Sequence, residues 1–182
     1  MTGVDLQVVL WIARHRFHAG NVFAGWVMDL STSRSAVAAL LVACAIYVVV
    51  ARRWRLAVAI VAAVVMSYAA SLLLKDLFAV HRPAPSMAQV YAAGWSFPST
   101  DAAITAAGAT ALYLGLTWVA APVRRRLAWA LGIVVAVVGL LVVYLGAHWP
   151  TDVLAGWVLG AGTGAAAIAL TRRWAGRGAT AA

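Results

Sequence analysis

The sequence predicts an all-α integral membrane helical bundle, and three observations carry that prediction. Of the 182 residues, 65% are hydrophobic and only 10% are charged. Mean hydropathy is +0.92, well into the range of membrane proteins. The apolar residues also gather into segments of crossing length: 35–51, 56–80, 99–121, 127–147 and 151–171. In hydrocarbon no water satisfies a backbone N–H or C=O, so each segment must be a helix. The chain has room for one such bundle, 35–171, and no second folded domain. Residues 1–34 are interrupted by Gly20, Asn21, Gly25 and Asp29 and by a Ser/Thr cluster. They are expected to form an interfacial or partly inserted segment, with a sixth span as the alternative. Residues 172–182 form a basic cytoplasmic tail.

The net charge of +9, from 14 Lys and Arg against 5 acidic residues, would in a soluble protein point to nucleic acid. Here nine arginines sit in three clusters beside apolar segments: Arg52, Arg53 and Arg55; Arg124, Arg125 and Arg126; Arg172, Arg173 and Arg177. That is the pattern of membrane anchoring, and no nucleic-acid partner is expected. With five consecutive crossings the three clusters share one side, which the positive-inside rule makes cytoplasmic. The connections after the second and fourth spans then open on the opposite face. Cys44, alone in an apolar run, has no disulfide or metal partner. The N-terminus lacks a basic leader and a small-residue cleavage site, so no removable signal peptide is expected. Gly156, Gly160 and Gly164 recur every four residues and allow a neighbouring helix to approach one face, within the chain rather than in a dimer seam. A homo-oligomer is left open.

The polar residues capable of chemistry fall in three short segments: KDLFAVHRP (75–83), FPSTD (97–101) and HWPTD (148–152). If the helix continues past Lys75, Arg82 lies two turns on and about 20° away in azimuth, and the two cations clamp an anion. Snorkelling to the headgroups is the competing explanation. Pro98 and Ser99 open the third span, where unpaired amides and the positive end of the dipole suit a phosphate. Asp152 follows His148 by four residues, so its carboxylate can hold one ring nitrogen and leave the other as nucleophile.

In order and spacing, these segments resemble the type 2 phosphatidic acid phosphatase superfamily, whose motifs are Lys-x6-Arg-Pro, Pro-Ser-Gly-His and Ser-Arg-x5-His-x3-Asp. Lys75, Arg82 and Pro83 match the first fully, and Pro98 and Ser99 half of the second. His148 and Asp152 match the third within YLGAHWPTDVLAGW. The resemblance implies a six-helix-type phosphatase working without a metal or other cofactor on a lipid phosphate or polyprenyl diphosphate. His148 would form a phosphohistidine, Asp152 would orient it, and Lys75, Arg82 and Ser99 would hold phosphate oxygens. The sequence departs from the family where Thr100 and Asp101 replace Gly-His and where Leu141 and Val142 replace Ser-Arg. Asp101 and His81 are the candidate replacement acids, and Arg14, Arg16 or Arg34 the candidate replacement cation. Two readings follow. One is a lipid phosphatase with its site on the extracytoplasmic face of a plasma membrane, bacterial by its Ala-, Val- and Arg-rich composition. The other is an impaired relative that binds or transports lipid phosphates or serves as a subunit of a membrane assembly.

Overall fold

A computed structural model describes residues 2–32 and 52–179, and among these every regular element is helical. The elements are α1 (Gly3–His15), α2 (His18–Thr32), α3 (Trp54–Phe78), a single 3₁₀ turn at Pro85–Met87, α4 (Thr100–Gly115), α5 (Ala121–Tyr144) and α6 (Pro150–Ala179). Among the described residues three helices are long and apolar enough to cross a membrane: Trp54–Phe78, Ala121–Tyr144 and Pro150–Trp174. The expected span at 35–51, with Cys44, lies outside the described residues. The expected span at 99–121 is shorter than its apolar run. Its helix has 16 residues and stops at Gly115, after which residues 116–120 turn the chain. The arginines at 124–126, expected to join two spans, instead lie in the first turns of α5. The basic segment from 172 continues α6 as far as Ala179.

Short α4 is the centre of the bundle. It packs along α6 and α3 and carries α5 on its remaining side. Its buried face is alanine: Ala102, Ala103, Ala106, Ala107 and Ala111. The opposing faces are equally small. Along α3 they are Ala59, Ala63, Ser67 and Ser71, a four-residue repeat. On α6 a Cβ at Gly156 or Gly164 would come within 2.6 Å of the carbonyl oxygen of Ser99 or Ala107, and one at Gly160 would run into Ala103 O. Lipid tails give no hydrophobic drive for helices to meet, so backbone approach of this kind supplies dispersion contact instead. Substituting Gly160 by Val should therefore force α4 and α6 apart and cost about 1–3 kcal/mol. The checking measurement is thermal unfolding in detergent, and an unchanged melting temperature would contradict this packing.

The direction of the helices places the three polar segments together. Lys75 is at the C-terminal end of α3, Ser99 caps the start of α4, and His148 precedes α6, so all three meet at one end of the bundle. The Arg52–Arg55 cluster and Arg172 lie at the opposite end.

Candidate active site

Lys75 and Arg82 do converge, though not along one helix face. Helix α3 ends at Phe78, and Ala79 takes a left-handed conformation (φ 47°) while its N–H bonds to Lys75 O. This cap turns the chain, and the loop brings Arg82 back toward the bundle. Lys75 Nζ donates to Trp95 O (2.8 Å) and Ser96 O (3.2 Å). The Arg82 guanidinium donates through Nη2 and Nε to Ala93 O and through Nε to Gly94 O. Its Nη1 reaches Ala147 O (2.7 Å) and His148 Nε2 (3.1 Å). One arginine thus ties the 93–94 loop to the turn before α6. That turn depends on Gly146, at φ 73°, where a Cβ would collide with Met87 O.

His148 and Asp152 are both buried. The ring nitrogen Nδ1 lies 3.4 Å from Asp152 Oδ2, a long contact, because the same oxygen accepts the Trp149 amide (2.8 Å) and the Ser96 hydroxyl. The other ring nitrogen faces Arg82, which can only donate, so Nε2 must hold a lone pair and Nδ1 the proton. Burial pushes the His148 pKa below its ordinary value, with Arg82 and Lys75 acting in the same direction and the hydrogen bond to Asp152 opposing. The arrangement therefore presents a neutral imidazole, with its free nitrogen beside a cation. The Arg82 pKa is also lowered, first by burial, while Asp152 and Asp101 act the other way.

Ser99, rather than Pro98, stands at the boundary of α4. Its Oγ accepts from Ala102 N (3.4 Å), and its N–H donates to Asp152 O (3.0 Å). The hydroxyl proton is free to donate, and the next amides, Thr100 and Asp101, have no intrahelical partner. Asp101, half-buried in this first turn, bears on both Lys75 and Arg82 electrostatically. His81 is not brought into the cluster through its ring: exposed, the ring packs edge-on against Trp95, and only its carbonyl joins the site region, accepting from Trp149 Nε1. A cavity of about 480 Å³ opens over Arg82, between the 81–94 loop and Gly146–Ala147.

Val142, at the place of the superfamily's third-motif Arg, is fully buried among Val9, Ala102 and Trp149, so no cation projects from there. Arg16 comes nearest among the three candidates for its replacement. Its Nε donates to Tyr144 O (2.7 Å), and its buried Nη2, beside Gly146, has no partner among the described residues. Arg14 is exposed, and Arg34 lies outside the described residues.

Two residues at the site escaped the sequence reading. Ser96 donates its hydroxyl to Asp152, donates its N–H to Val80 O and accepts Lys75, so it links the first and third segments. Asp5, 1% exposed, reaches from α1 to the first turn of α6: Oδ1 accepts Thr151 N (3.1 Å) and Oδ2 accepts Thr151 Oγ1 (3.0 Å). Trp149, immediately before α6, has no side-chain acceptor, so an orphan amide of that helix is capped by a residue 146 positions away. Burial opposes ionisation of Asp5, but the hydrogen bonds from Thr2 and Thr151 outweigh it and hold the carboxyl below its ordinary value. Asp5→Ala should loosen the turn carrying His148 and Asp152. The expected result is a fall in kcat of about tenfold with little change in KM, as for loss of a cap worth about 1–2 kcal/mol. Unaltered kcat for phosphate release would contradict this role.

The fold and site define a helical membrane protein with a histidine, a carboxylate and two cations gathered at one end of its bundle, and comparison with known proteins gives the family. The PAP2 superfamily model matches residues 54–175, and the chain belongs to that superfamily. Its apolar helices and this membership make it an integral membrane protein. Among solved structures it is similar to the PAP2-type phosphatidylglycerolphosphate phosphatase of Bacillus subtilis. That match has a TM-score of 0.77 and 20% identity and covers 96% of this chain and 85% of the other. It is also similar to LpxE of Aquifex aeolicus, with a TM-score of 0.72, 23% identity and coverage of 92% and 96%. At these identities the likeness is one of fold. An undecaprenyl-diphosphatase of Sulfolobus acidocaldarius is 43% identical over 67 residues, which span 36% of this chain and 29% of that relative.

Proposed function

We propose that this chain hydrolyses a polyprenyl diphosphate or a related lipid diphosphate, with His148 as nucleophile. The observation that carries the reading is the His148 imidazole, whose Nδ1 lies against Asp152 while the unprotonated Nε2 faces Arg82. Lys75, Arg82, the Ser99 hydroxyl and the first amides of α4 hold the oxygens of the terminal phosphoryl group, neutralising charge that builds up in transfer. Nε2 forms a bond to phosphorus as the bridging P–O bond breaks, and the lipid monophosphate departs with the electron pair. Water then attacks the phosphohistidine, releasing inorganic phosphate and restoring the imidazole.

The leaving group is the reason for choosing a diphosphate. An alkoxide must be protonated as it leaves, and neither replacement acid is placed against His148: Asp101 lies in the first turn of α4 with Lys75 and Arg82 in its field, and the exposed His81 ring is turned to Trp95. A phosphate monoester leaves without that help. The similarity to an undecaprenyl-diphosphatase supports the same substrate class. The arginine clusters at the far end of the bundle support an extracytoplasmic site in a bacterial plasma membrane, and α1 with α2, rich in exposed Trp and Phe, supports an interfacial N-terminal segment beneath five or six spans.

Phosphate release by the purified protein in liposomes, from a polyprenyl diphosphate and from phosphatidic acid, tests the reading. Faster turnover of the diphosphate is expected. No release from either, with both lipids still bound, would establish the alternative of a lipid-phosphate binding protein, which the buried Val142 favours.

A further inference from the structure

The geometry points to a second anion site, at the end of the bundle opposite His148, that takes the phosphate headgroup of an acidic phospholipid. It does not depend on the catalytic reading. A cavity of about 420 Å³ opens there between the start of α3 and the ends of α4 and α6. Four arginines line it, Arg52, Arg53, Arg55 and Arg172, together with Trp54 and Trp118. Among the described residues no carboxylate lines it, so none of them neutralises the positive charge from within.

Three features separate this cavity from a ring of arginines that merely marks a membrane face. Three of its four cations are already ordered: the Arg53 guanidinium lies 4.0 Å from the Trp118 ring centre, Arg55 lies 5.3 Å from that of Trp54, and Arg172 Nη2 donates to Leu114 O at 2.7 Å. Side chains fixed in this way lose little entropy when an anion arrives. The N-terminus of the 25-residue α3 also opens here, with Arg53 at its cap position and no side-chain acceptor on its first amides. Those orphan donors and the positive dipole end add to the arginine field. Finally, Arg52 holds a φ of 48°, a conformation that favours glycine, at the edge of the cavity. The mixed wall, guanidinium with indole, fits a phosphodiester whose acyl chains continue into the bilayer, and basic pockets between spans are suited to such lipids.

The test is binding of phosphatidylglycerol to the full chain in mixed micelles, read by native mass spectrometry and by thermal shift. Phosphatidylcholine and inorganic phosphate serve as the other two probes. Wild type should retain phosphatidylglycerol and be protected by it, with neither effect from the other probes. R53Q/R172Q should bind about tenfold or more weakly, while R125Q/R126Q, which removes the same charge from the same end, should bind as wild type. If R53Q/R172Q fails to fold, R52Q and R55Q, each altering an exposed side chain, should each weaken binding severalfold. Equal loss in R125Q/R126Q would reduce the effect to bulk charge and overturn the site. Equal protection by inorganic phosphate would overturn the lipid assignment. Loss of phosphatidylglycerol in R82Q but not in R53Q/R172Q would move the lipid to the other end of the bundle and equally overturn it.

Discussion

Replacing His148 by Ala should lower phosphate release from a lipid diphosphate by about a thousandfold or more, the scale on which removal of an essential nucleophile acts. The fold should survive. Both partners of the imidazole keep other bonds when it is gone: Arg82 Nη1 retains Ala147 O, and Asp152 Oδ2 retains the Trp149 amide and the Ser96 hydroxyl. No buried charge is stranded, so the melting temperature should change little while activity collapses. The same residue sets the acid limb of the wild-type profile. Its pKa lies below the ordinary 6.5, through burial first and then Arg82 and Lys75, and in the proposed mechanism it is the neutral form that attacks. Activity as kcat/KM should therefore be flat through pH 6.5 and fall only below it. Folding follows the same sign: stability associated with neutral His148 is present above the unfolded value and lost as pH falls through the lower folded one. A limb above 6.5, or full activity in His148→Ala, would exclude histidine as the attacking group.

How much of this could be read from the chain depends on whether the determinant was local. The Gly156, Gly160 and Gly164 repeat was legible because helical spacing converts directly into one face, and that face meets α4 backbone. His148 and Asp152 were legible for the same reason, four residues apart at a helix mouth. Lys75 and Arg82 lie near each other, but not on the single continuing helix face that their spacing suggested. Nothing in KDLFAVHRP forbids a continuing helix before Pro83, and the left-handed turn at Ala79, an alanine, has no sequence signature. Ser96 was hidden for another reason. A serine in a loop carries no periodicity, and its bond to Asp152 spans 56 residues. Asp5 gave a partial signal: Thr2 and Asp5 form a capping box, which marks where α1 begins. The second oxygen of that carboxylate was free to act elsewhere, and only the packing of α1 on the start of α6 discloses where.

Arg82 should prove the least replaceable of the residues proposed to hold phosphate, with even the charge-conserving Arg82→Lys losing on the order of a hundredfold in kcat/KM. The guanidinium is used as a fork. Nε and Nη2 hold Ala93 O and Gly94 O, while Nη1 holds Ala147 O and faces His148 Nε2, so the loop after α3 and the turn before α6 are fixed by one planar group. An ammonium has three donors at a single point and cannot span those acceptors. It would also respond differently to its surroundings. Burial already lowers the pKa of Arg82, yet a guanidinium stays protonated across the working range, whereas a lysine under the same burial and near Lys75 would be driven toward the neutral amine. The loss should thus combine misplacement of His148, which lowers kcat, with weaker phosphate binding, which raises KM. Arg82→Gln should lose more, about a thousandfold, since it removes the charge as well as the fork. Lys75→Gln, whose two bonds both go to the 95–96 loop and whose charge Arg82 partly backs up, should lose less than Arg82→Gln. Steady-state kinetics on the three variants, with melting temperatures to exclude unfolding, decide the matter. Wild-type activity in Arg82→Lys would mean that charge alone is needed at this position, and the fork would have no part in holding the site.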